Sequence, residues 1–331
     1  MSQNKQDRKT IIQNSILAGA RKGLSGFIWM MKILVPISFF TALLVWSGWL
    51  ERGQFLIEPV MKWLNLPAAA ALPLLIGTMT TIYGAIGAMA VLPLSREQMT
   101  LIAVFLVIAH CLIQESAIQG KSGLNPFKAA LYRLITATIT ILLIAPFLDL
   151  SASVHVEPVG FGKAYQPFGM MLLNWLQITT SLAVRLLVII TSVLTFLEVS
   201  KALGWIERVV GFCRPVFRIM GLSEKTGILW IAAAGFGLFF GGAVIVEETK
   251  GRIFDKQELE RLHLSIGINH AVFEDPALFL TLGLNPFWLW IPRIVMAIIA
   301  VRIFILWQHI KKRYIVSSTR LNERTGGPSS W

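Results

Sequence analysis

The tetrapeptide Leu124-Asn125-Pro126-Phe127 occurs again as Leu284-Asn285-Pro286-Phe287, 284 − 124 = 160 residues later. The same spacing carries His110 onto His270, Ala117 onto Ala277, Gly123 onto Gly283 and Arg133 onto Arg293. Upstream, Gly48-Trp49-Leu50-Glu51-Arg52 matches Gly204-Trp205-Ile206-Glu207-Arg208, and Pro59 matches Pro215, at 204 − 48 = 156 residues. The chain is a duplication, and its fold has to be built from two related halves. A four-residue insertion in the first copy, within Pro67–Gly77, is expected to reconcile the two spacings.

The solvent of those halves follows from composition. With 55% hydrophobic and 15% charged residues and a mean hydropathy of +0.66, the chain is too apolar for a soluble domain, in which about a quarter of residues are charged. Apolar runs recur at Ile33–Leu50, Ala68–Leu94, Leu101–Ile113, Ala129–Leu148, Met170–Leu197, Ile228–Val246, His263–Leu284 and Phe287–Trp307. Many reach the roughly 20 residues that a helix needs to cross about 30 Å of hydrocarbon. None alternates strictly, so the expected fold is an all-α polytopic membrane protein.

The net charge of +12 would suggest nucleic acid for a soluble protein, but here it marks topology. Lys5, Arg8, Lys9, Arg21, Lys22 and Lys32 precede the first span, and Lys311, Lys312, Arg313, Arg320 and Arg324 follow the last. The positive-inside rule then places both ends in the cytoplasm. The connector 149–166 carries Asp149 and Glu157 against Lys163 alone, which suits the outer side. Each half must therefore cross an odd number of times. That makes the halves inverted relative to each other, with about three full spans and one broken or re-entrant segment apiece. The expected order is a polar tail at 1–10, a first unit at 11–148 opened by an interfacial helix, the connector, a second unit at 167–310 and a basic cytoplasmic tail at 311–331. Cys111 and Cys213 do not match between copies and read as free thiols.

Two segments interrupt the helical pattern. Ala68–Leu94 contains Pro73, Gly77, Thr78, Thr80, Thr81, Tyr83, Gly84 and Gly87, and its partner Ile228–Val246 contains Gly235, Gly237, Gly241 and Gly242. Small residues at such spacing serve close helix packing. Gly- and Pro-interrupted segments at corresponding places in two halves also point to broken helices lining a polar path.

The following stretches hold the intramembrane ionisable residues, His110-Cys111-Leu112-Ile113-Gln114-Glu115 and Asn269-His270-Ala271-Val272-Phe273-Glu274-Asp275. Read as continuous helix, the spacing puts His110 with Gln114, and His270 with Glu274, on shared faces, with His263 seven residues before His270. Groups of this kind cost roughly 2.5–3.5 kcal/mol each at membrane depth and default to function. Glu247 and Glu248 add two carboxylates. The candidate substrate or ion site is thus His110, Gln114, Glu115, Glu247, Glu248, Asn269, His270, Glu274 and Asp275, with Gly77, Gly84, Gly237, Gly241 and Gly242 as broken-helix backbone. Metal candidates are His110, His270 and Glu274. Each Leu-Asn-Pro-Phe reads as a turn that starts the next helix with Pro in its first turn.

The duplicated Gly-rich segment, the histidine with its acidic pair and the Asn-Pro-Phe turn resemble the nucleoside-recognition (Gate) family of membrane proteins, which includes spore-maturation-type proteins. The resemblance implies one Gate-like unit per half and a fold akin to concentrative nucleoside transporters and the membrane domain of ferrous-iron transporters. The cysteine-containing Gly-rich motif of the iron transporters is absent from these segments. No nucleotide-binding P-loop motif occurs, so transport would be secondary.

The expected function is secondary transport of a small polar organic solute in the inner (plasma) membrane. Half-helix ends would hold the solute, and His110, His270, Glu274 and Asp275 would bind it or carry coupling protons. A divalent-metal transporter and a non-transporting membrane subunit are the alternatives. Expected partners are the solute or ion, the bilayer and a second copy of the chain, without nucleic acid or a resident cofactor. No catalytic motif appears, and the symmetric repetition of the polar residues suits alternating access better than a single reaction centre.

Overall fold

The computed structural model describes residues 2–150, 167–251 and 254–325, and these form helices with no strand. The first half holds α1 (Ser2–Trp46), α2 (Trp49–Trp63), α3 (Ala71–Met79), α4 (Ile82–Met89), α5 (Arg96–Ala109), α6 (Leu112–Lys121) and α7 (Pro126–Ile144). The second holds α8 (Phe168–Ala202), α9 (Trp205–Ile219), α10 (Glu224–Gly251), α11 (Lys256–Ile268), α12 (Glu274–Phe279) and α13 (Pro286–Thr325).

Helix boundaries fall at the duplicated positions because the residues there carry the same stop and start chemistry. Gly48 and Gly204, both left-handed at φ 69° and 63°, turn the chain into α2 and α9, a conformation glycine adopts freely. Ser95 and Gln98 form a reciprocal capping box at α5, and Asp255 caps α11 by accepting from the Glu258 amide. Asn125 accepts from the Lys128 amide with Pro126 at the first helical position of α7. Asn285 accepts from the Phe287 amide at the start of α13.

These caps relocate the insertion. Ser95 and Asp255 are 255 − 95 = 160 residues apart, whereas the helix breaks at Thr81 and Gly237 are 237 − 81 = 156 apart. The larger downstream spacing requires four residues added to the second copy, between Gly237 and Asp255, and not to the first copy within Pro67–Gly77.

Five helical stretches are long and apolar enough to cross a membrane: Thr10–Trp46, Arg96–Lys121, Pro126–Phe147, Phe168–Ala202 and Pro286–Lys311. The pair Phe55–Trp63 and Ala68–Met79, bent by 88°, would make a sixth. The protein is an all-helical membrane protein. Only two of the five lie in the second half, where three were expected. There Gly237 divides α10, and α11 opens on the charged run Lys256–Arg261.

Two ends differ from expectation. Residues 2–10, expected as a polar tail, are helical and continuous with α1. At the other end α13 runs unbroken to Thr325, well past Trp307. Neither 1–10 nor 311–325 contains a proline or glycine to interrupt the helix. Residues 151–166, most of the expected connector with Lys163, lie outside the described residues.

Helices α1 and α8 pack antiparallel along their lengths. Trp46 at the end of α1 meets Phe168 at the start of α8, with ring centroids 5.5 Å apart. Trp175 Nε1 donates to Ser38 Oγ at 3.1 Å, and Lys22 pairs with Glu198 at 3.0 Å. Gly23 permits the approach: a Cβ there would come within 2.6 Å of the Thr191 Cα. This pair sits at the edge, since 17% of the α8 span is buried against 78% of the α5–α6 span. Leu173, Val184, Val188 and Phe196 of α8 are exposed and suit lipid, while α5 with α6 forms the centre.

Candidate functional site

At the centre of the bundle the chain breaks at each histidine. α5 ends at Ala109, His110 is extended at φ −81° and ψ 167°, and Cys111 is left-handed at φ 45° before α6 begins. α11 ends at Ile268, and Ala271 is left-handed at φ 43° ahead of α12. A non-glycine residue in that region costs roughly 1–2 kcal/mol. It occurs at the same place in both halves, 271 − 111 = 160. The shared helical faces expected for His110 with Gln114 and for His270 with Glu274 therefore do not exist. Gln114 is exposed, and Glu115 is buried in its place.

Each histidine break is held against a second break. Thr80 and Thr81 separate α3 from α4, and Gly237, at φ 75° and ψ 171°, breaks α10. The Cys111 amide donates to the Gly77 carbonyl at 3.0 Å, and the Ala271 amide to the Ala233 carbonyl at 3.2 Å. Cys111 Sγ donates to the Thr80 carbonyl at 2.9 Å, and the Val272 amide to the Ala234 carbonyl at 2.7 Å. Backbone freed by one break satisfies backbone freed by the other, as irregular chain at membrane depth requires.

The arginines complete that satisfaction. Arg133 Nε donates to the Ile108 carbonyl and Nη2 to the His110 carbonyl, both at 2.8 Å. Arg293 repeats this on the Ile268 carbonyl, at 2.6 Å, and on the His270 carbonyl. Both side chains are fully buried. They neither snorkel nor reach solvent, and each guanidinium sits at the negative end of a helix dipole, on the last carbonyls of α5 or α11. Arg133 Nη2 also lies 2.6 Å from Glu115 Oε2.

Four side chains from the two halves then converge. His110 Nε2 lies 3.6 Å from Glu115 Oε1 and 3.6 Å from Asp275 Oδ2. His270 Nε2 lies 3.3 Å from Glu115 Oε2 and 4.0 Å from Asp275 Oδ2. The imidazole centroids are 5.0 Å apart. All four residues are buried. Glu115 and Asp275 stand 160 residues apart, in the first turns of α6 and α12, where the helix dipole favours an acid.

Residues 27–124 match the profile of the nucleoside recognition family, Gate. The match runs from within α1 through α6 and so contains His110 and Glu115. Over 279 residues the chain is 26% identical to the uncharacterized membrane protein YvoD of Bacillus subtilis (strain 168), covering 82% of this chain and 88% of that protein. No solved structure matches.

Other candidates sit around this centre rather than in it. Glu274 is half-buried and accepts from Tyr83 Oη at 3.2 Å, so the group spaced for metal is His110, Glu115 and His270, not His110, His270 and Glu274. Asn269 is buried beside His270 with its Oδ1 unpaired. His263 Nε2 bonds the Ser122 carbonyl at 3.2 Å and ties α11 to the end of α6. Glu247 and Glu248 lie near the end of α10, with Glu247 exposed. Among the five candidate glycines, only Gly237 sits at a break. Gly77 and Gly84 lie within helices against Leu106 and Ile37, Gly241 packs on Ala233, and Gly242 on Ile118. Tyr83 was visible among the interruptions of the first Gly-rich segment, but its partner Glu274 was not. Arg133 and Arg293 were visible as duplicated intramembrane charges, but their carbonyl partners were not.

Proposed function

We propose that the protein is a secondary transporter of a small polar organic solute, nucleoside-like or a carboxylate, in the inner (plasma) membrane with both ends cytoplasmic. The reading is carried by the meeting of two paired helix breaks, one pair from each half, around buried ionisable side chains. Discontinuous helices at a repeat interface are where secondary transporters bind substrate and coupling ion. The antiparallel packing of α1 on α8, its counterpart at the 156-residue spacing, supports inverted halves. Alternating access is then a rocking of one half against the other, with the His110–His270 contact as the seam. The nucleoside recognition description of the matched profile supports a nucleoside-like solute. The ionisable centre links solute movement to that of a cation, and no catalytic step is assigned.

Reconstituted in proteoliposomes, the protein is expected to accumulate a labelled nucleoside or small carboxylate under an ion gradient. Glu115→Gln, isosteric but uncharged, is expected to slow uptake at least tenfold, equivalent to about 1.4 kcal/mol. Gln114→Ala, at an exposed position, is expected to transport as wild type. A folded wild-type protein that moves no solute in the panel would overturn the reading in favour of a membrane subunit serving a partner.

A further inference from the structure

The central side chains raise a question of lone pairs. His110 Nδ1 faces the Leu106 carbonyl at 2.8 Å, and His270 Nδ1 faces the Ile266 carbonyl at 3.0 Å. A carbonyl oxygen only accepts, so each Nδ1 bears the hydrogen, and in the neutral ring each Nε2 is left as an acceptor. Both Nε2 atoms then point at carboxylate oxygens, which are acceptors too. His270 Nε2 and Asp275 Oδ2 are buried with no hydrogen-bond partner. Acceptors crowded in this way need positive charge between them, either protons or a metal ion.

The spacings decide between the two. Hydrogen bonds of this kind span about 2.7–3.2 Å, and none of the four contacts, at 3.3, 3.6, 3.6 and 4.0 Å, falls in that range. Ligands tetrahedrally placed about 2.0–2.2 Å from a zinc ion stand about 3.3–3.6 Å from one another. The contacts of the two histidines with Glu115, one to each carboxylate oxygen at 3.6 and 3.3 Å, have that length. The ligand atoms of His110, Glu115 and His270 all lie within 4.8 Å of one another.

The surroundings are those a metal ligand requires. A histidine that binds metal through one nitrogen donates its other N–H to a carbonyl or carboxylate, which fixes the tautomer and ring orientation. Both histidines do so, through the carbonyls four residues earlier. A ligating carboxylate is itself held by a donor, and Arg133 holds Glu115. Two carboxylates neutralise a divalent ion, while the arginine charges rest on the carbonyl ends of α5 and α11.

We propose that His110, His270 and Glu115 bind one divalent transition-metal ion at the seam between the halves, as a two-nitrogen, one-carboxylate set of the kind that zinc accepts, with the Asp275 carboxylate beside it. Each half supplies one histidine, so the ion bridges the halves. Its binding does not rest on the transport reading, because it is a property of the buried centre alone.

The test uses the full chain purified in detergent with any affinity tag removed, dialysed against Zn²⁺ or Co²⁺, with bound metal counted per chain. About one equivalent is expected, and the Co²⁺ form is expected to show the intense visible absorption of tetrahedral cobalt. Loss of a residue that merely orients a ligand weakens metal binding about 10–100-fold, so His270→Ala and Glu115→Gln, which remove a ligand or its charge, are each expected to weaken it at least about 100-fold. Glu115→Gln keeps the side-chain shape and stands in where His270→Ala does not fold. Gln114→Ala is expected to bind as wild type. Folded wild-type protein that takes up no metal, or equal uptake by wild type, His270→Ala and Glu115→Gln, would overturn the proposal and leave protons as occupants of the centre. The ion count needs no transported solute, so its failure and that of the uptake assay are separable.

Discussion

Arg133→Met is expected to lower stability by about 3–5 kcal/mol, read as a fall in melting temperature of the detergent-solubilised protein. Three partners lose their donor at once. The Ile108 and His110 carbonyls were freed by the end of α5, and no water reaches them at this depth to replace the guanidinium. Glu115 loses the cation 2.6 Å away, and stranding one member of a buried ion pair carries a cost of about 3–5 kcal/mol. Methionine has much of the volume of the lost side chain, so the effect is one of unpaired polar groups rather than of a cavity. Arg133→Lys is expected to recover little, because a single ammonium cannot span both carbonyls and the carboxylate as the planar fork does. A melting temperature for Arg133→Met equal to that of wild type would show that the arginine does not hold the break.

Gly237→Val is expected to cost about 1–3 kcal/mol through the backbone alone. At φ 75° and ψ 171° the residue occupies a region that is essentially glycine's. A β-branched side chain there forces α10 either to straighten or to store the strain. Straightening would withdraw the Ala233 and Ala234 carbonyls from the Ala271 and Val272 amides. The first half makes its break differently, with Thr80 at φ −117° and Thr81 extended, capping α4 through the Gly84 amide. Thr81→Gly is therefore expected to cost no more than about 1 kcal/mol. Equal losses at the two positions, measured by the same thermal unfolding, would count against distinct backbone solutions to one break.

Much of this was legible before any coordinates. The duplicated Asn-Pro turns named the starts of α7 and α13, and apolar run length named the membrane. What stayed hidden was the conformation of His110 and His270. Their flanking residues, Ala109, Cys111, Ile268 and Ala271, carry no breaker signal, so the period of four read straight through and paired His270 with Glu274. The breaks are imposed from outside: the Gly77 and Ala233 carbonyls draw in the following amides, and the arginines take the carbonyls left behind. That is tertiary satisfaction of the backbone, which one segment cannot display alone. The same cause shifted the metal candidates. Once the helix breaks at the histidine, Glu115 and Asp275 turn inward and Glu274 turns to Tyr83.

Cys111 gives the first break a chemical handle. Its thiol is buried and bonded to the Thr80 carbonyl, so an alkylating reagent reaches it only while that contact is parted. Opening and closing that is fast relative to alkylation makes the reaction rate proportional to the fraction of molecules standing open. The other cysteine, Cys213, lies in α9 and is partly exposed, so replacing it leaves a single reporter. The protein thus carries an internal clock for the opening of its centre, one that keeps time without knowledge of what passes through.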